Sequence, residues 1–181
     1  MPKNLGNIKE EIISVTRVML EDKGYDKLNI RDVAGSCNIG IGTFYNYFKS
    51  KHEILSEIIR SDWKEILDDI DKGTESQGDA TDKLLFIYSE INKFMKKTHG
   101  SGFEEFSNDA GKFDFTMVAE MKKGLRNQLS SRVKKAILGK TPEGKADCYS
   151  DLITRLFISY ASEGSEDVSE LTVLFELILT K

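Results

Sequence analysis

The sequence predicts an all-α fold in two parts, a small N-terminal three-helix unit and a larger helical unit behind it. Three observations lead there. Apolar residues recur at spacings of three and four along most of the chain, the mark of helices with one buried face, and no stretch alternates with the period of a strand. Capping residues and breakers divide that pattern into segments. Residues 28–55 then compress two short helices, a tight turn and the start of a long helix into one stretch.

Taken in order, residues 1–6 form a polar, mobile arm. Asn7 stands where it can cap a helix over residues 8–23, with Glu10 at the capping-box position. Ile8, Ile12, Val15 and Met19 give that helix an inner face, and Gly24 ends it as the glycine just past the last turn. Asn29 is the N-cap of the first short helix, its side chain able to accept a first-turn N–H. Leu28 and Val33 flank it as a hydrophobic staple. Asn38 falls in the turn, where a left-handed residue is needed and Asn tolerates it. Residues 40–47 make the second short helix. Ser50 opens the next, with Glu53 completing a capping box. Val33, Ala34, Ile39, Phe44 and Phe48 are expected to close a core against the first helix.

The long helix is expected over 51–72, on Ile54, Leu55, Ile58, Ile59, Trp63, Ile66, Leu67 and Ile70. At ~1.5 Å per residue it is a rod of roughly 30 Å, long enough to join two domains. This sets the expected domains at 1–50 and 51–181. Residues 73–79, rich in Gly, Ser, Thr and Asp, read as a loop. A helix over 81–97 uses Leu84, Leu85, Tyr88, Ile91, Phe94 and Met95. Residues 99–102 are a breaker, and 103–115 a short helix with a loop. A helix over 116–138 follows on Val118, Met121, Leu125, Leu129, Val133 and Ile137, then a loop over 139–144. Two helices close the chain, over 145–162 and 165–180. The second half of the last is apolar almost all round, so it must be buried on every side. A second copy packing about a two-fold axis supplies the cover. The expected dimer interface is Leu152, Leu156, Tyr160, Leu171, Leu174, Phe175 and Ile178.

Bulk properties narrow the function. Of 181 residues, 39% are hydrophobic and 31% charged, which suits a soluble globular protein with a substantial core. No run approaches the ~18 consecutive apolar residues of a membrane span, and no signal-peptide core stands at the N-terminus. Cys37 and Cys148 lie in different expected domains, so a disulfide framework is not expected and a cytoplasmic location is. Residues 1–60 hold 9 basic against 8 acidic side chains, and residues 61–181 hold 17 against 22. Any attraction for nucleic acid must come from local placement of Lys3, Arg31, Lys49 and Lys51. Two His and two Cys are scattered. No metal-ligand spacing and no nucleophile–base pair is visible, so neither catalysis, metal nor cofactor is expected.

Residues 39–51, Ile-Gly-Ile-Gly-Thr-Phe-Tyr-Asn-Tyr-Phe-Lys-Ser-Lys, resemble the helix-turn-helix signature of the TetR family of bacterial transcriptional regulators. Lys23-Gly24-Tyr25 and Ile30-Arg31-Asp32-Val33-Ala34 extend the likeness, which covers residues 8–56. The Gly-Thr-x-Tyr-x-Tyr-Phe-x-x-Lys core is specific. The resemblance implies an N-terminal helix-turn-helix DNA-binding domain and a C-terminal helical ligand-binding and dimerisation domain. It implies a homodimer on double-stranded DNA, reading the two halves of a palindromic operator. It also implies a small-molecule effector, with repression relieved by that effector as the expected sign and activation as the alternative.

By the same resemblance, the helix over 40–47 enters the major groove. Thr43 can meet a phosphate or a base, and the hydroxyls of Tyr45 and Tyr47 suit phosphate oxygens. Lys51 lies in a first helical turn, where free N–H groups already favour an anion. Arg31 can reach a guanine edge, and Lys3 can follow the backbone. Asn29, Gly40, Ile41, Gly42 and Asn46 complete the expected DNA-binding set. The pattern departs from the family in three places. Gly40 replaces a capping Ser, Ile41 a residue often polar or basic, and Asn38 the usual turn glycine. Beyond residue 56 the family implies a ligand cavity. Its candidate lining is Trp63, Phe86, Tyr88, Phe103, Phe106, Phe113, Phe115 and Met117, with 103–117 as the entrance. The apolar faces carry few charges, which favours a hydrophobic or aromatic effector. Two readings of another class stay open: a small helical enzyme or carrier, and an interaction protein whose helix-turn-helix has lost DNA.

Overall fold

The computed structural model describes residues 5–99 and 115–179, with side chains over 8–97 and 119–179. The described residues form eight helices and no strand: α1 Leu5–Lys27, α2 Ile30–Ser36, α3 Ile41–Tyr47, α4 Lys51–Glu75, α5 Ala80–His99, α6 Phe115–Ile137, α7 Ala146–Ser162 and α8 Ser169–Ile178. None is long and apolar enough to cross a membrane. Lys3, Phe103, Phe106 and Phe113, and most of the short helix and loop expected over 103–115, lie outside the described residues. Phe115 and Met117 lie on α6, of which only the backbone is described there. The chain divides into two compact units. One holds the described residues to Asp62 with 97–99 and 115–118; the other holds 63–96 and 119–179.

In the first unit, α1 presents Ile8, Ile12, Thr16 and Leu20 to the core, all under 8% exposed. The expected face used Val15 and Met19 instead, and both are half-buried on its flank. The i, i+4 ridge tolerates a threonine because its hydroxyl donates to the Ile12 carbonyl at 2.7 Å. The helix already includes Asn7, so Asn7 is not its N-cap. Gly24 breaks the helical path at φ 74°, ψ 170°. Opposite α1, Val33 and Ala34 of α2, Phe44 of α3, Phe48 after it, and Ile54, Leu55 and Ile58 of α4 are buried, while Ile39 is half-buried. Full burial of a Phe or Leu contributes about 1.5–3 kcal/mol, so this small core rests on a few large side chains. Arg17 of α1 pairs with Asp62 at 2.5 Å, and Lys97 reaches the same carboxylate at 3.4 Å.

In the second unit, Trp63, Leu67 and Ile70 of α4 join Leu84, Ile87, Ile91 and Phe94 of α5 in the core. Leu129, Val133 and Ile137 of α6, Ile153 and Phe157 of α7, and Leu171 and Phe175 of α8 complete it. Helix α4 runs to Glu75, so Gly73 is inside it and the expected loop shortens to residues 76–79. Gly73 is there for space: a Cβ on it would stand 2.1 Å from the Phe86 ring. Helix α8 begins at Ser169, later than the residue 165 expected. Residues 164 and 165 instead finish α7. Gly164, at φ 70°, donates to the Ala161 carbonyl, and Ser165 donates to that of Tyr160, a Schellman ending. The Ser165 carbonyl then accepts from the Tyr88 hydroxyl at 2.6 Å and the Asn92 amide at 3.0 Å.

Candidate nucleic-acid interface

The two short helices are set by their ends. Asn29 Oδ1 accepts the Arg31 N–H at 2.9 Å, which opens α2. Cys37 closes it as a fully buried residue. Asn38 then takes the left-handed conformation, φ 52°; its N–H donates to the Gly35 carbonyl, and that of Ile39 to the Ala34 carbonyl. This is again a Schellman ending, with asparagine doing what glycine does at the close of α7. Gly40 caps α3 in extended conformation without a side-chain bond. Lys49 Nζ donates to the Tyr45 carbonyl at 3.1 Å, placing a cation at the C-terminal end of α3. Ser50 Oγ accepts the Glu53 N–H at 3.1 Å, while the Glu53 carboxylate accepts the Lys49 N–H, one residue before the usual partner of a capping box.

Helix α3 divides by its period. Phe44 faces inward and stacks on Phe48, with ring centroids 5.9 Å apart. Gly40, Ile41, Gly42, Tyr45 and Asn46 face solvent, with Ile41 39% and Tyr45 43% exposed, and Thr43 and Tyr47 are half-buried. Asn29, Arg31, Ile41, Tyr45 and Lys51 share the wall of one open depression of about 660 Å³, which Asp26 and Lys27 also line. Ile41 and Tyr45 therefore stand beside two side chains of opposite ends of the motif, Arg31 and Lys51. Lys27 was not foreseen; its only sequence signal is a basic residue in the last turn of α1. Tyr25 carries part of the family likeness, and that likeness alone implies no role for it. The structure gives it one: Lys51 Nζ lies 3.7 Å from the centroid of its ring, and its hydroxyl lies 3.0 Å from His52 Nε2.

The candidate effector residues whose side chains are described lie in the second unit. Trp63 is 5% exposed and packs edge-on against Phe94 with centroids 5.0 Å apart. Tyr88 is 2% exposed and stacks near Phe157. Burial pushes the Tyr88 phenol above its usual range. Phe86 is half-buried over Gly73. Of the candidate interface residues, Leu171 and Phe175 turn inward and are buried in this chain's own core, so they leave no surface for a second copy. Leu152 is exposed, and Leu156, Tyr160, Leu174 and Ile178 are half-buried. Val173 at 56% and Leu177 at 79% join them on the exposed side. The Tyr160 hydroxyl donates to Glu170, which ties α7 to α8 and raises the phenol's pKa. Among the described residues no cluster of three His, Cys, Asp or Glu is placed to hold a metal ion.

Residues 12–58, the span of this motif and its supports, match the sequence profile of the bacterial regulatory proteins of the tetR family. Over that span the chain is similar to the TetR family. The HTH-type transcriptional repressor KstR2 of Mycolicibacterium smegmatis is 31% identical over 64 residues, which cover 34% of this chain and 31% of that protein. An uncharacterized HTH-type transcriptional regulator of Lactococcus lactis is 35% identical over 92 residues, 48% of this chain and 47% of that one. The matched stretch is thus less than half of these relatives' lengths. The whole fold has its own likeness. The crystal structure of a transcriptional regulator from Cytophaga hutchinsonii superposes with a TM-score of 0.76 over 95% of this chain and 98% of that one, at 16% identity.

Proposed function

We propose that this chain is a DNA-binding transcriptional repressor of the TetR family that acts in the cytoplasm as a homodimer on a palindromic operator and is released by a small hydrophobic effector. Residues 1–50 serve as the DNA-binding domain. Residues 51–181 bind the effector and form the dimer, and α4 connects the two. The observation that carries this reading is the depression that gathers Arg31, Ile41, Tyr45 and Lys51 on one solvent face. Helix α3 enters the major groove. Lys51, Tyr45 and Tyr47 hold phosphates, which fixes register without reading sequence. Arg31 and Ile41 take the base edges, guanine for the first and a thymine methyl for the second. Thr43, Asn46, Gly40, Gly42 and Asn29 complete the contact face, with the Asn29 carboxamide oxygen also held by the α2 cap. The repressor sign leans on the relative named a repressor.

Release follows from linkage. DNA favours one spacing of the two reading heads and the effector another, so each weakens the other through α4. An effector with equal affinity for both states would change nothing. Trp63, Phe86 and Tyr88 are the described candidates for the effector wall. A thermal-shift screen with lipophilic compounds is expected to find a class that raises the melting temperature. Stabilisation by none of them contradicts this part of the reading. For the DNA face, Lys51→Ala and Tyr45→Phe are expected to weaken duplex binding across sequences, and Lys51→Ala, which removes a charge, also to flatten its salt dependence by about one phosphate contact. The dimer stays intact. If Lys51→Ala binds as tightly as the parent at every salt concentration, the phosphate assignment is wrong.

A further inference from the structure

We infer that Tyr25 is a positioning residue for DNA binding: its ring face seats the Lys51 ammonium so that a phosphate meets a charge already aimed. The inference rests on the DNA-binding reading above. Lys51 Nζ stands 3.7 Å from the ring centroid, well inside the ~6 Å over which the negative face of an aromatic ring attracts a cation. The ring is itself fixed. Tyr25 is 2% exposed, its hydroxyl lies 3.0 Å from His52 Nε2, and the two rings meet edge to face with centroids 6.1 Å apart. Gly24, at φ 74°, ψ 170°, bends the chain just before it, in a conformation that suits glycine alone. The Tyr25 carbonyl accepts the Leu28 N–H at 3.1 Å, which ties this bend to the entry of α2.

A neutral ring holds the ammonium by its quadrupole and leaves the positive charge in place. A lysine already seated gives up less side-chain freedom on gripping a phosphate than one that wanders in solvent. Lys51 also opens α4, where first-turn N–H groups favour the same anion.

The test is a fluorescence-anisotropy titration of the full chain against a duplex of arbitrary sequence, at two salt concentrations. Replacing Tyr25 by pentafluorophenylalanine keeps the ring's shape but removes its negative face; it is expected to weaken binding about tenfold. Tyr25→Phe keeps the negative face and is expected to lose no more than about threefold. In the fluorinated background, Lys51→Ala is expected to cost far less than in the parent, because the two side chains act as one unit. Equal affinity of the fluorinated and Tyr25→Phe proteins overturns the inference, as does full independence of the two changes. Should Lys51→Ala leave the parent's binding unchanged, the DNA-binding reading fails and this inference falls with it. A loss at Lys51→Ala with none in the fluorinated protein removes Tyr25 alone.

Discussion

Gly24 and Gly40 flank the proposed reading face, and only one of them has to be glycine. Gly24 sits at φ 74°, ψ 170°, where a side chain costs about 1–3 kcal/mol. Gly24→Ala is therefore expected to lower stability by that amount in a urea titration, and to loosen the Tyr25 and Lys51 pair with it. An unchanged midpoint would mean that the bend is not required. Gly40 sits at φ −70° with the nearest atom to an added Cβ, Thr43 Oγ1, at 3.9 Å. Gly40→Ser supplies the missing cap and removes glycine's freedom in the unfolded chain, a gain of about 0.5–1 kcal/mol by the same titration. At this scale the sequence was informative where chemistry is local. Asn29, Asn38 and Ser50 each announced a backbone need that the structure meets in the expected place. Tyr25 and Lys27 were not legible as site residues, because what brings them to Lys51 and Arg31 is a bend at Gly24 and not a spacing.

At the scale of elements, periodicity and capping residues together found every helix that the structure describes, but the ends followed tertiary packing. Gly73 looked like a breaker and is a platform for the Phe86 ring. Ser165 is expected to start the last helix and instead ends the one before, its carbonyl held by Tyr88 and Asn92. Val15 and Met19 yielded the inner face of α1 to Thr16, whose hydroxyl satisfies itself within the helix. The pair of α1 and α4 is tested at Arg17 and Asp62, an ion pair whose acid is 8% exposed. Arg17→Ala is expected to cost about 1.5–3 kcal/mol, the worth of a charged hydrogen bond, with Lys97 left to cover the acid. The turn between α7 and α8 carries a pH signature. Lys96 holds the Glu166 carboxyl below its usual range, and the Ser169 N–H does the same for Asp167. Both groups have depressed values in the folded state. Their stabilisation is present above the unfolded values and is lost as pH falls through the folded ones. The melting temperature is expected to drop on acidification below the ordinary glutamate value of 4.5. Lys96→Ala is expected to shrink that drop, because Glu166 then titrates at its unfolded value.

For the whole molecule, the exposed side of α7 and α8 bears on assembly. Leu152, Val173 and Leu177 stand in solvent on helices whose other faces already close the core. Leu177→Glu is expected to shift the protein toward monomer in sedimentation velocity while leaving its helical content unchanged; a dimer of undiminished stability would place the interface elsewhere. The all-round apolar pattern of the last helix signalled a second copy, but it could not say which residues the chain keeps for itself, and Leu171 and Phe175 proved to be among them. The central claim is that the face around α3 reads DNA sequence. Its most direct test is a titration of the purified protein against duplex DNA from upstream of its own gene, at two salt concentrations, with unrelated duplex as competitor. The account predicts tight binding that competitor does not displace, at two protomers or a multiple per site, with a salt dependence that Lys51→Ala flattens. Failure to bind duplex DNA even at low salt, or binding whose salt dependence Lys51→Ala leaves untouched, would contradict it.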